Sequence, residues 1–261
     1  GVASGSDALQ LSLEACGIGE GDEVITTPFT FFASAGAISR TGARPVFADI
    51  DPHTYNLDPK KIEALITVRT RGILPVHLFG QMADMKNILE IARAFDLVVI
   101  EDACQALGAE NEAGRAGALG RTGCFSFFPT KVLGSCGDGG MVVTGDEKTA
   151  EKIKILRVHG SKDKLFYREL GCNSRLDEIQ AAILLIKLRQ LPRWLNKRVH
   201  LAGIYTGLLQ DVVLTPRVMP GHKHTYSLYV IRTTGREKVK EHLARHGVAT
   251  GLYYTLPLHL Q

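Results

Sequence analysis

No CxxC pair, no charged-then-apolar leader and no apolar run long enough to cross a bilayer occurs in the sequence. The five cysteines, Cys16, Cys104, Cys124, Cys136 and Cys172, are odd in number and widely scattered. That argues against a disulfide framework or a zinc site and leaves buried thiols in a reducing cytoplasm as the expectation. Charge of one sign is missing too: 31 basic and 27 acidic residues give a formal net charge of +4, with no run of five like charges. Nucleic-acid binding therefore has no compositional support. Neither a P-loop nor a GxGxxG follows any predicted strand, which disfavours a generic nucleotide-binding module. No internal repeat or low-complexity tract is visible. The expectation is a soluble, cytoplasmic protein with no nucleic-acid or membrane partner.

What is present is enough apolar material, 45% of 261 residues, for one large domain and a smaller one. The first hundred residues alternate helix and strand signals. Residues 7–16 carry Leu9, Leu13 and Cys16 at helical spacing, with Ser6 or Ser4 as cap and Gly17 as stop. A short strand-like run at 23–26 ends before Pro28. Residues 31–40 then read as a helix, 44–49 as a strand, 58–66 as a helix opened by Asp58 and Pro59, 72–77 as a strand, 84–94 as a helix and 97–100 as a strand. Strands separated by helices of about ten residues indicate βαβ units and a mainly parallel α/β sheet, whose ligands bind at the carboxyl ends of the strands.

Later, 124–128 and 141–144 are strand-like and flank a glycine-rich turn. Two helical stripes follow, Leu176, Ile179, Ile183 and Ile186, then Leu195, Val199, Ala202, Tyr205 and Leu209, with Pro192 between them. Both are expected in core and dimer interface. Beyond Asp211 the pattern reads as strand (226–232), helix (236–246) and strand (250–254). A domain boundary is placed near residues 192–198, giving a large domain over 1–192 and a small one over 193–261.

Four features carry chemistry. Asp102 ends the strand LVVIED, where it is either a helix cap or a buried anion paired with a cationic ring nitrogen, with Gln105 one turn on. Ser126 and Lys131 lie in CFSFFPTKVLGSCGDGG (124–140); the apolar flanks of Lys131 are poor company for a surface lysine, and partial burial would favour the neutral amine. Ser6 and the amides of Ser6 and Asp7 open a helix, where they form an ordinary cap or an anion site. Phe31 is either core or a face for ring stacking. His222 and His224 form an HxH on a loop with no third ligand evident, so no metal site is assigned. His259 is placed where it could approach a substrate.

Taken in order, SGSDAL, DEVITTPFTFFAS, PVFADIDPHTYNLDP, LPVHLFGQMADM, VIEDACQALGA, FSFFPTKVLGSCGDGGMVVT, LRVHG, GCNSRLDEIQAAIL and GLYYTLPLHLQ resemble successive blocks of the DegT/DnrJ/EryC1/StrS aminotransferases, along essentially the whole chain. The resemblance implies the type I fold of pyridoxal-5′-phosphate-dependent aminotransferases: a mainly parallel mixed sheet with flanking helices plus a smaller α+β C-terminal domain. It implies a homodimer with shared active sites. Amino transfer would run from an amino acid, by family expectation glutamate, to a nucleotide-linked keto-sugar in amino-sugar biosynthesis. A 3-keto acceptor is favoured by the FFPTK…GDGGM block.

By the same resemblance Lys131 holds the cofactor as a Schiff base and moves the proton, and Asp102 pairs with the pyridinium nitrogen. Gln105 contacts the ring hydroxyl side and Phe31 stacks on the ring. Ser6, Asp7 and Ser126 hold the phosphate, and Asn173 reaches it from the partner subunit. Related sugar 3-dehydratases carry histidine in place of the lysine, so Lys131 argues against that activity. A cofactor-binding regulatory or interaction protein that has lost catalysis is the other alternative.

Three positions depart from the pattern: Val132 stands where asparagine is expected, Cys172 where tyrosine is common, and FYRELG (166–171) lacks a histidine often found there. They touch the rim of the site. Members of the family have more sequence at both ends, so the expectation is a fragment with a partial small domain.

Overall fold

The computed structural model describes residues 1–163 and 165–261. Its centre is a six-stranded sheet of β1 (Glu23–Thr26), β2 (Arg44–Phe47), β3 (Thr70–Ile73), β4 (Val98–Asp102), β7 (Thr122–Ser126) and β8 (Gly140–Val143), in the order β2-β1-β3-β4-β7-β8. Five strands run parallel and β8 returns antiparallel to β7. Between β4 and β7 lies a small ribbon of β5 (Glu110–Asn111) and β6 (Gly114–Arg115).

Successive side chains on a strand point to opposite faces, and here both faces are dry. Ile25, Ile73, Val99 and Phe125 pack on one side against Met85 and Ile88 of α3 (Met85–Ala94), and against Leu184 of α5 (Glu178–Leu188) and Leu191 and Leu195 of α6 (Leu191–Leu209). Val24, Leu74, Ile100 and Cys124 pack on the other against α1 (Gly5–Ala15), α2 (Ala33–Arg40) and α4 (Glu147–Leu156). The uninterrupted apolar run LVVI follows from that double burial.

Caps behave as their chemistry requires: Asp84 accepts from the Asn87 amide, and Asp146 from Thr149. Several expectations need correction. α2 opens at Ala33, leaving Phe31 outside it. Residues 58–66 form two short 3-10 turns (59–61 and 63–65) rather than an α-helix, with Asp58 capping the first. β3 stops at Ile73, because Pro75 has no N–H for the ladder; a single bridge from Val76 to Asp102 continues it.

The stripe through Ile179 and Ile186 faces outward, with those residues 74% and 69% exposed, and Leu184 is the buried side chain of α5. Likewise Val199 and Tyr205 are exposed while Leu195 and Ala202 are buried. Pro192 sits in the first turn of α6, which runs unbroken through residue 209. Residues 226–232 and 250–254 are not strands: one bridge, Leu214 to Arg232, is formed, and other bonds, such as the Leu228 amide to the Phe79 carbonyl and the Tyr226 amide to His224, build no ladder. α7 (Arg236–Arg245) forms as read. All five cysteines are unpaired thiols.

Candidate active site

The carboxyl edge of the parallel strands gathers most of the expected residues. Asp102 closes β4 and is 5% exposed. Its backbone is held on both sides, the N–H donating to the Pro75 carbonyl and the C=O accepting from His77. One carboxylate oxygen accepts the Ser34 hydroxyl at 2.8 Å and the other the Cys104 amide at 3.2 Å. No helix starts at Ala103, which removes the helix-cap reading. Among the described residues no lysine, arginine or histidine forms an ion pair with Asp102. A buried carboxylate with two donors and no cation is expensive, so this one is built to receive a cationic partner.

Gln105 is fixed from both ends. Its Oε1 accepts the Phe79 amide at 3.1 Å, which assigns the amide, and its Nε2 donates to the Tyr254 hydroxyl at 3.0 Å. One Nε2 hydrogen is left over. Burial, opposed by the Gln105 bond and reinforced by the Asp102 charge, pushes the Tyr254 phenol up to about 12, so it stays protonated. The Tyr254 ring stacks on Phe79 and meets Phe29 edge-on.

The start of α1 supplies the donor set for an anion. Ser4, not Ser6, is the cap: its Oγ accepts the Asp7 amide. That amide is therefore engaged, and the Asp7 carboxylate accepts the Ser174 hydroxyl at 2.7 Å. The amides of Gly5 and Ser6 have no partner among the described residues, and the Ser6 side chain is exposed beside them. A Cβ at Gly5 would lie 2.7 Å from Ser126 Cβ and 2.9 Å from Cys104 Sγ, so glycine lets the helix start settle directly against Ser126. Ser126 accepts the Phe128 amide.

Lys131 stands in the loop 127–139 between β7 and β8, half-buried, its own amide bonded to Phe128. Burial, with the Asp102 charge, raises the Cys104 thiol well above its ordinary range, and the Lys131 charge opposes this. Lys131 and Asp102 thus both act on the thiol beneath the start of α1. Phe31 is 60% exposed, which removes the core reading. Asn173 is not brought together with these residues; it is exposed and its carboxamide bonds Arg175.

Three contributors escaped the sequence: Ser34, Cys104 and Tyr254. Ser34 is 68 positions from Asp102 and Tyr254 149 from Gln105, so nothing local marks either. The histidines lie elsewhere. His77 is fully buried, donating from Nε2 to Glu101 at 2.7 Å and accepting the Ala83 amide at Nδ1. Burial alone would raise the Glu101 carboxyl, but His77 and the Gly120 and Gly117 amides outweigh it and hold it below the carboxylate range. His224 accepts the Tyr226 amide, and burial takes it down to about 4. His259 packs its ring on Phe47. A groove of about 720 Å³, lined by Asp51, Asn56, Asp84 and His222 among others, contains none of the expected residues.

A buried anion that no cation pairs with among the described residues, a lysine on an adjoining loop and open helix-start amides beside two serines are the charge and donor set that a cationic ring bearing a phosphate calls for. The chain belongs to the DegT/DnrJ/EryC1/StrS aminotransferase family, whose pattern it matches over residues 1–261. Aminotransferases of this family depend on pyridoxal 5′-phosphate, and the residues present fit that group in charge and donor chemistry.

Among relatives, a pleiotropic regulatory protein of Geobacillus stearothermophilus is 53% identical, covering 100% of this chain and 71% of its own length. The UDP-N-acetyl-3-dehydro-alpha-D-glucosamine 3-aminotransferase of Acidithiobacillus ferrooxidans is 45% identical over the same shares, 100% and 71%. A crystal structure of S. venezuelae DesV in complex with a ketimine intermediate superposes with a TM-score of 0.97 at 44% identity, covering 100% of this chain and 71% of that one.

Proposed function

We propose that this chain moves an amino group from an amino acid, glutamate by the family's pattern, to C3 of a nucleotide-linked keto-sugar, as a cytoplasmic homodimer. The observation that carries the reading is the buried Asp102 carboxylate, which lacks a cation and shares the sheet edge with Lys131 and the open amides of Gly5 and Ser6. When bound, pyridoxal 5′-phosphate supplies an electron sink that makes deprotonation at an amino-acid α-carbon feasible.

The chain's own residues supply the rest. Asp102, 5% exposed, would pair with the ring nitrogen and favour its protonated form. Lys131 would hold the cofactor through its amine, and the same amine would be the group within reach to take and return a proton at the amino-acid α-carbon. The Ser6 amide and hydroxyl and the Ser126 hydroxyl bind the phosphate, and Asp7 fixes the turn through Ser4 and Ser174. Gln105 would offer its remaining Nε2 hydrogen to the ring hydroxyl, and Phe31 would cover a ring face. Asn173, unattached to this site within its own chain, contacts the phosphate of a second copy.

The test is an absorbance spectrum of the purified protein with pyridoxal 5′-phosphate, before and after glutamate. A lysine-bound band that glutamate discharges, and that Lys131→Ala abolishes together with about 10³-fold or more of turnover, is the expected result. Turnover retained in Lys131→Ala overturns the assignment. A non-catalytic regulatory role is the second reading, favoured by the Geobacillus relative's name; a band that no amino donor discharges would select it. Lys131 itself speaks against a sugar dehydratase.

A further inference from the structure

The loop carrying Lys131 is held from two directions. From within, the Phe127 amide donates to the Gly139 carbonyl and the Ser135 amide to Phe127, both at 2.8 Å. The buried Ser135 hydroxyl lies 2.7 Å from the Phe127 carbonyl and 2.6 Å from that of Gly137, donating to one of them. A Cβ at Gly134 would sit 2.4 Å from the Pro129 carbonyl, so the turn closes only around glycine.

From outside, two side chains of α5 reach the same turn. Gln180 Oε1 accepts the Cys136 amide at 2.8 Å, and Lys187 donates to the Gly134 carbonyl. The two residues are seven apart, two helical turns, and so share one face of α5. The side chain of Leu184, between them, is the helix's buried anchor. A Cβ at Gly137 would come 3.1 Å from Gln180 Nε2, so glycine there admits the carboxamide.

We infer that Gln180 and Lys187 are positioning residues for Lys131, setting the path of the Gly134–Cys136 turn and with it the reach of the lysine amine. This rests on the reading that Lys131 carries the cofactor. A lysine side chain has a four-carbon stem and many rotamers, so its amine is directed only as well as its backbone is fixed. Leu133, next to the turn, is buried and ties the clamp to the core; Val132 packs partly buried against it.

The experiment uses Gln180→Leu with Gln180→Glu as the rescue, and Lys187→Met with Lys187→Arg. Three readouts are taken: the pyridoxal 5′-phosphate dissociation constant, amide hydrogen exchange over residues 131–137 without cofactor, and the melting midpoint. Loss of one acceptor should raise the dissociation constant about three- to tenfold in Gln180→Leu and speed exchange at Cys136 similarly. Exchange in α1 and β4 should stay unchanged, and Gln180→Glu should restore both values. If Gln180→Leu does not fold, Gln180→Asn, one methylene too short to reach, gives the same reading. An unchanged dissociation constant and unchanged exchange overturn the proposal. If Lys131→Ala also keeps the lysine-bound band, the cofactor reading has failed; if it loses the band while the Gln180 variants match wild type, only the clamp has.

Discussion

Residues 23–126 and residues 210–261 are written in similar letters and reach different ends. In the first stretch Val24, Ile25, Ile73 and Leu74 are inaccessible to water; in the second no hydrophobic side chain is buried, the last such residue being Ala202. Both stretches contain strand-like runs, LVVI in one and SLYVI in the other. The difference lies in partners. β4 finds β3 and β7 on its two edges, whereas residues 226–232 find a single bridge to Leu214. α7 forms in the same poor surroundings, because a helix satisfies its backbone internally and a strand does not.

The sharpest way to break the contrast is at glycine. A Cβ at Gly123 in β7 would lie 2.0 Å from the Gly117 carbonyl, so Gly123→Ala should cost about 4 kcal/mol or prevent folding. Gly203 in α6 meets nothing within 4 Å, and Gly203→Ala should instead raise stability by about 0.5–1 kcal/mol in a urea melt. Equal effects would mean that β7 and the exposed face of α6, which leads into the second stretch, are not packed differently.

Next in size is a side-chain deletion. Leu74→Ala, at a site with no exposure, should cost about 3 kcal/mol, while Val212→Ala, at 72% exposure, should stay within about 0.5 kcal/mol. Urea midpoints with unchanged slopes would measure both.

The smallest effect is a charge. Glu23 in β1 accepts from Thr67, Arg44 and Arg69, and those bonds, Thr67 foremost, lower its carboxyl from 4.5 to about 2. Because the folded value lies below the unfolded one, its contribution is complete above about pH 4.5 and is lost as pH falls toward 2. Glu23→Gln should therefore be less stable than wild type near neutrality, with the gap closing across that window. Glu237→Gln, an exposed pair with Arg236 in α7, should show no more than about 0.5 kcal/mol at any pH. A Glu23 gap that ignores pH would contradict the assigned bonds.

What the sequence made legible follows the same division. Caps at Asp58, Asp84 and Asp146 act within three residues, and the buried strand β4 announces itself by the unbroken apolar run LVVI. Asp102 was readable because it ends such a run. The outward turn of Ile179 and Ile186 was not, since helical spacing gives a face but not which neighbour covers it. Nor were the Ser34 bond to Asp102 and the Tyr254 bond to Gln105, which join separate parts of the chain. The choice of Ser4 over Ser6 as cap was undecidable from letters alone, because either hydroxyl precedes a helical run.

The start of α1 has a consequence in time. Val2 is bonded to Gly140 in both directions, and the Ala3 amide is held by the Ser174 hydroxyl 171 positions later. At roughly 5–20 residues per second, a ribosome takes on the order of 10–30 s to travel that distance. The turn offering the amides of Gly5 and Ser6 is thus locked in place only once residues 140 and 174 have been made.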